Sequence, residues 1–239
     1  MNRTYVRPLV AEFLGTFALV FIGAGAVVVD TAKGGALGLT GIALAHALVL
    51  SVMVTAFMTI SGAHFNPAVT FAVWMASKID LGRATSYIVV QLVAAVAAAA
   101  LVKALIPGMA GEVTSYGVPR IAGDITLTQA ILIEAVLTLF LVSAVFGTAV
   151  SAEAPKVGGF GIGLVLLFDV LVGGPLTGAA MNPARAFGPA LVAGDWHGHA
   201  AYWIGPLLGA AVATIIWAKV LLPPELGDAA EKRKGKREK

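Results

Sequence analysis

The chain contains no cysteine, which excludes disulfides, thiolate metal sites and a cysteine nucleophile, and leaves no thiol for a mercurial to block. Charge is scarce as well. Only 12% of the 239 residues are Asp, Glu, Lys or Arg, about half of the roughly 25% usual in soluble domains. No Ser/His/Asp set, metal-ligand cluster or phosphate-binding glycine loop can be assembled, and His197 with His199 in one loop is too little for a metal. An enzyme, a metal and a cofactor are therefore not expected. The net charge of +3 does not point to nucleic acid, because the basic residues gather in Lys232-Arg233-Lys234-Gly235-Lys236-Arg237-Glu238-Lys239 with no aromatic among them. That run, within 223–239, reads as a solvated cytoplasmic tail.

What the chain does have is apolar length. Residues of hydrophobic type make up 59%, and they fall into six runs long enough for a hydrocarbon core of about 30 Å: 9–30, 37–60, 82–106, 127–150, 157–173 and 200–222. The segment 1–8 carries Arg3 and Arg7 and leads into the first run without a small-residue cleavage site, so that run is expected to be retained with the N-terminus inside. Between the third and fourth runs, 107–126 holds Pro107, Gly108, Gly111, Gly117 and Pro119 and reads as an irregular extracellular linker. Gly205-Pro206 is a candidate kink in the last run.

One stretch occurs twice. Ser61-Gly62-Ala63-His64-Phe65-Asn66-Pro67-Ala68-Val69-Thr70-Phe71-Ala72 returns 116 residues later as Thr177-Gly178-Ala179-Ala180-Met181-Asn182-Pro183-Ala184-Arg185-Ala186-Phe187-Gly188, with six of twelve positions identical. Asn is a favoured N-cap, and Pro is tolerated at the first helical position, where its missing N–H would have had no partner. Each copy thus starts a helix, 67–77 and 183–193, of about half the length that spans a bilayer. A polar helix start inside a membrane is costly unless it lines an aqueous cavity, so the two starts predict a water-filled path past both asparagines.

Three full spans per copy is an odd number, so the second copy crosses the membrane in the opposite sense to the first. The fold class predicted is an all-α membrane protein, with 9–106 and 127–222 as inverted repeats that together hold six transmembrane helices and two half-helices. With both termini inside, twelve basic residues fall on the cytoplasmic side and only Lys33, Lys103, Arg120 and Arg185 lie outside or along the path, as the positive-inside rule asks. Gly- and Ala-rich stretches such as 94–100 and 158–163 allow close helix contacts.

Several residues could carry chemistry. Glu12 and Glu134 occupy equivalent places, each followed four residues later by Thr16 or Thr138. A buried intramembrane carboxylate suits a proton-coupled transporter; a scaffold that accepts N–H groups from irregular backbone at membrane depth is the reading preferred here. Asn66 and Asn182 can each cap their own half-helix through the side-chain oxygen, which turns the NH₂ outward as a donor. The two helix starts add partial positive charge that disfavours cations at the midpoint. Arg185 cannot lose its charge and repels cations while offering donors to water.

Paired Asn-Pro-Ala motifs, with Ser-Gly-Ala-His before the first and Ala-Arg-Ala-Phe-Gly-Pro-Ala from the second, resemble the aquaporin (major intrinsic protein) family over about residues 8–222. The resemblance implies a pore centred on Asn66, Pro67, Ala68, Asn182, Pro183 and Ala184. It assigns Glu12 and Glu134 to holding the half-helix segments, and it places His64 on the cytoplasmic side of the pore lining. It also implies a narrow filter of His46, Val170, Ala179 and Arg185, placed by distance from the two asparagines. This set is similar to the filters of plant tonoplast intrinsic proteins, and it is wider and less polar on one side than a strict water filter. Ala186, Ala190 and Tyr202-Trp203 resemble the water-selective branch. Asp169 departs from the family pattern; it faces a neighbouring subunit, a lipid headgroup or the surroundings of Arg185, and the sequence does not choose.

The function these residues imply is a passive channel for water and small neutral solutes such as ammonia or hydrogen peroxide, excluding protons and ions. The expected setting is a lipid bilayer, the cell membrane, with a homotetramer as the assembly. A secondary transporter would need carboxylates in the path, and a closed-pore junctional protein would carry a longer interaction tail.

Overall fold

The computed structural model describes residues 3–106 and 108–222; the basic tail 223–239, Pro107 and the first two residues lie outside it. Among the described residues all regular structure is helical. In chain order α1 is Arg3–Ala32, α2 Gly38–Ser61, α3 Pro67–Met75, α4 Leu81–Leu105 and α5 Met109–Val113. Then follow α6 Leu127–Val145, α7 Phe160–Thr177, α8 Pro183–Ala193 and α9 Ala201–Ile216. Both α6 and α9 run on through a wider final turn, Phe146–Val150 and Trp217–Leu221, which gives six helices long and apolar enough to cross a membrane. The two short helices α3 and α8 complete the expected pattern.

Local chemistry sets most of the ends. Asp80 caps α4 by accepting from the Arg83 N–H at 2.9 Å, and Thr126 with Gln129 forms a reciprocal capping box at the start of α6. Before the two short helices, α2 and α7 stop at Gly62 and Gly178, both left-handed at φ +90° and +81°, a conformation glycine adopts without steric cost. Some ends differ from the sequence reading. Helix α1 starts by Arg3 and takes in most of the segment 1–8, with Pro8 inside it. Helix α3 ends at Met75 rather than 77, with Ser77 left-handed. Helix α9 passes through Gly205-Pro206 without a break. The linker 107–126 is partly ordered into α5 and a 3₁₀ turn, Ser115–Gly117.

Packing follows the repeat. Helix α1 lies on α4 and α2, as α6 lies on α9 and α7, while α2 against α7 joins the halves. The short helices cross over: α3 packs mainly on α9 and α8 mainly on α4, so each is held by a long helix of the other repeat. Small residues permit these approaches. A Cβ on Gly188 would run into the Ala95 backbone, and one on Gly209 into the Ala135 backbone. The outward faces carry apolar side chains such as Val52, Val93, Leu132 and Val172, as a lipid-facing surface requires.

Candidate functional site

Each repeat builds its half of the site from an extended segment hung between a long helix and a short one. In these segments Ala63 and Phe65, and at the same offsets Ala179 and Met181, hold φ of 51°, 51°, 45° and 51°. Left-handed non-glycine residues cost on the order of 1–3 kcal/mol each and persist only where neighbours fix them. The fixing groups are the two buried glutamates. Glu12 Oε1 accepts from Ser61 Oγ (2.7 Å) and His64 N–H (2.9 Å), and Oε2 from Phe65 N–H and Gln91 Nε2 (both 2.8 Å). Glu134 repeats this with Thr177 Oγ1 (2.7 Å), Ala180 N–H (3.0 Å) and Met181 N–H (2.7 Å). Two tyrosines complete the pairing: Tyr87 donates to Ser61 O at 2.9 Å and Tyr202 to Thr177 O at 2.8 Å.

The repetition is not complete. Gln91 also donates to Thr70 Oγ1 (3.0 Å), whose oxygen lies 3.1 Å from His64 Nδ1, so Glu12 is connected to the histidine through two side chains. In the second repeat Ala180 stands in the place of His64 and, counted from the paired tyrosines, Pro206 in that of Gln91, and no such chain is present among the described residues.

Asn66 Oδ1 accepts from Ala68 N–H at 2.8 Å, and Asn182 Oδ1 from Ala184 and Arg185 N–H at 3.0 and 3.3 Å. The amide nitrogens cross the repeat boundary. Asn66 Nδ2 donates to Met181 O and Asn182 Nδ2 to Phe65 O, both at 2.9 Å. Sequence reasoning turned both NH₂ groups toward water. In the structure each gives one hydrogen to the opposite repeat and keeps only its second for the lumen.

Both asparagines, His46, His64, Ala179 and Arg185 line one narrow cavity of about 20 Å³. One water needs roughly 10–15 Å³ on this measure, so the free space is of the order of one or two water molecules. Val170 is buried in the wall beside this cavity rather than among its lining residues. Arg185 Nη1 donates to Gly117 O of the 3₁₀ turn. Gly117 has φ +85°, and a Cβ there would sit 2.7 Å from Ala24 Cα, so only glycine lets the linker reach this deep.

Under the offset of 116 residues, His46, Val170, Ala179 and Arg185 correspond to Ile162, Val54, Ala63 and Val69, all four of which line the cavity. The filter places are therefore polar at the Arg185 end and their counterparts aliphatic, with His64 as a further polar lining residue outside both sets. Pro67, Ala68, Pro183 and Ala184 are buried in the first turns of α3 and α8. Asp169 is enclosed within the single chain at 1% exposure, so neither lipid nor a neighbouring subunit reaches its carboxyl, and neither oxygen has a hydrogen-bond partner.

Outside the membrane-spanning helices, the linker is tied to the loop after α8. Ser115 Oγ donates to Asp195 Oδ2 at 2.8 Å, and Arg120 Nη2 reaches Ser115 Oγ at 2.6 Å and Asp195 Oδ2 at 3.3 Å. The Ser115 hydrogen bond, followed by the His197 N–H and the Arg120 charge, holds the Asp195 carboxyl below its ordinary pKa. His199 is also lowered, by burial. Among the described residues no group of three His, Asp or Glu is placed to hold a metal ion.

Sequence reading missed Gln91, Tyr87, the bond that Tyr202 makes to Thr177 O, and the Gly117 carbonyl. The tyrosines had a signal in their near-repeat spacing. Gln91 and Gly117 had none, because each is defined by a contact between distant segments.

Comparison with known proteins agrees with this geometry. The pattern of the major intrinsic protein family matches residues 2–217. The chain is 42% identical to aquaporin TIP4-4 of Zea mays over 222 residues, covering 89% of this chain and 85% of the relative. It is 41% identical to aquaporin TIP4-1 of Arabidopsis thaliana, covering 91% and 87%. The X-ray structure of the aquaglyceroporin from Plasmodium falciparum superposes with a TM-score of 0.78 at 26% identity, covering 93% of this chain and 98% of that one. Two inverted sets of spans, two half-helices meeting at their asparagines and a family match over nearly the whole chain lead to one conclusion: this protein belongs to the major intrinsic protein family.

Proposed function

We propose that this integral multi-pass membrane protein is a passive channel for water and for small neutral solutes, ammonia and hydrogen peroxide among them, that excludes protons and ions. The observation that carries this reading is the single narrow cavity onto which Asn66, Asn182 and Arg185 all open. A water at the asparagines meets two donors and the partial positive charge of two helix starts, so its own hydrogens point away from the centre and a proton relay is interrupted there. Arg185 adds a fixed positive charge at one mouth. Glu12 and Glu134 are both consumed by scaffold hydrogen bonds, which weighs against a carboxylate that takes up and releases a proton in each cycle.

The filter of this reading is His46, Val170, Ala179 and Arg185, with His64 further along the pore. Val170 stands where a strict water filter would carry a second polar ring, and the space and lost polarity favour solutes slightly larger than water. The assembly proposed is a homotetramer with a pore in each subunit, and both termini lie in the cytoplasm. The charge distribution supports this topology. The membrane assigned to it is the cell membrane; the likeness to TIP aquaporins pulls toward an internal one, and fractionation of the native cell decides between them.

Stopped-flow light scattering of proteoliposomes tests the function. Osmotic water permeability well above that of empty vesicles, with no added proton conductance at the same protein density, is the expected result. Water flux accompanied by a proton current overturns the barrier described here.

A further inference from the structure

We propose that Gly23, on α1 behind the constriction, is a specificity-determining position because its missing side chain is the seat of the His46 ring. A Cβ built on Gly23 would lie 2.5 Å from His46 Nε2, 2.7 Å from Cδ2 and 3.1 Å from Cε1. All three nearest atoms belong to that one ring. Gly188 and Gly209 differ, since their bare Cα faces neighbouring backbone and serves helix packing. Gly23 serves a side chain.

The ring is bounded on two sides. Its Nδ1 lies 2.9 Å from Ile42 O; a carbonyl can only accept, so Nδ1 is the donor and Nε2 is the acceptor of the neutral imidazole. The Ile42 carbonyl thus holds one edge of the ring and α1 stands behind the other. The open side is the cavity, which His46 lines and Gly23 does not. Any side chain at position 23 therefore drives the imidazole into a space of about 20 Å³, where a shift well under the size of one water narrows the opening.

The internal repeat shows that the fold itself does not require glycine here. Position 145 stands to Gly23 as Glu134 stands to Glu12, and it is Val145; His46 corresponds to Ile162. Val145 and Ile162 both line the cavity at its aliphatic end. The same structural place carries a branched side chain where its neighbour is aliphatic, and bare backbone where its neighbour is an imidazole.

This inference rests on the reading of His46 as a constriction residue, and the experiment separates the two. Permeabilities to water, ammonia and urea are measured in proteoliposomes for the parent, His46→Ala, Gly23→Ala and the double variant. His46→Ala should raise the urea-to-water ratio several-fold. Gly23→Ala should lower the ammonia-to-water ratio several-fold, and the double variant should match His46→Ala alone. If His46→Ala changes the ratio and Gly23→Ala does not, the role of Gly23 is refuted while the filter stands. If Gly23→Ala acts equally with and without the ring, glycine is a packing residue and the proposal is wrong. If His46→Ala itself leaves the ratio unchanged, filter and proposal fall together. Should Gly23→Ala not fold, recovery of folded protein in the double variant supports the contact and failure to recover overturns it.

Discussion

Asn66 and Asn182 are locked to each other's repeat: each donates its amide to the carbonyl of the residue that precedes the other asparagine, at 2.9 Å in both directions. Each also caps its own short helix. Replacing Asn182 by Ala removes the cap, worth about 1 kcal/mol, and leaves Phe65 O buried without its donor, a further cost of roughly 1–3 kcal/mol. Thermal unfolding in detergent should show a loss of about 2–4 kcal/mol, and Asn66→Ala a loss of similar size. A variant as stable as the parent would show that the cross-repeat bond is not formed.

The glutamates can be told apart. Glu134→Gln replaces one acceptor oxygen by an NH₂ that must face the Met181 N–H, or the Ala180 N–H and Thr177 hydroxyl. The Thr177 hydroxyl can turn to Gly173 O, 3.4 Å away, but the two backbone N–H groups cannot turn. At position 12 the new NH₂ also faces a backbone N–H, of Phe65 or His64, but beside Phe65 the Gln91 side chain can flip and offer its Oε1, buried and without a partner, which relieves part of the conflict. Glu134→Gln should therefore lower stability by more than Glu12→Gln, by on the order of 1–3 kcal/mol. The midpoints of heat-induced loss of monodisperse protein on size-exclusion chromatography give the comparison.

Asp169 has two buried oxygens with no partner. An apolar side chain of similar size should be better tolerated there than the carboxyl, so Asp169→Val should raise stability by about 1–3 kcal/mol. A fall in stability would reveal a partner for this acid.

Selectivity is open to test at position 170. Val170→His restores a polar ring beside the constriction and fills space, so water permeability should persist while ammonia and hydrogen peroxide permeabilities fall several-fold. An unchanged solute ratio in proteoliposomes would remove Val170 from the filter.

The tie between the linker and the loop after α8 has a defined pH window. The Asp195 carboxyl is depressed, so its contribution is complete above the ordinary aspartate range near pH ~4. It is lost as pH falls through its lowered value. Deuterium uptake across 115–122, corrected for intrinsic exchange, should be flat from neutral pH to about 5 and rise below about 4. In Asp195→Asn it should be raised at all these pH values. The effect on global stability should stay within about 1 kcal/mol, because Arg120 is largely exposed.

Much of this architecture was legible in the order of residues. An Asn-Pro pair sets a helix start by local chemistry alone, and its recurrence among six apolar runs dictates the inverted arrangement without knowledge of any contact. The glutamates were legible as a matched pair for the same reason. The destination of the asparagine amides was not, because a side chain that caps its own helix gives no hint that its other end reaches across the pseudo-twofold. The enclosure of Asp169 was hidden for a related reason: an acid in an apolar helix looks alike whether it faces lipid, protein or water. Gly23 looked like any packing glycine, and only the position of the His46 ring distinguishes it.

The crossed packing of α3 on α9 and of α8 on α4 bears on how the protein is made. Helix α3 is too short to span the bilayer and begins at a buried asparagine, so lipid alone offers it no stable resting place. Its main support, α9, is the last of the described helices in chain order. The re-entrant segment of the first half therefore lacks its main support until α9 has been made and packs against it. Chains cut before α9 would lack a pore altogether rather than half of one, whereas the two halves supplied as separate polypeptides hold every contact needed to find each other.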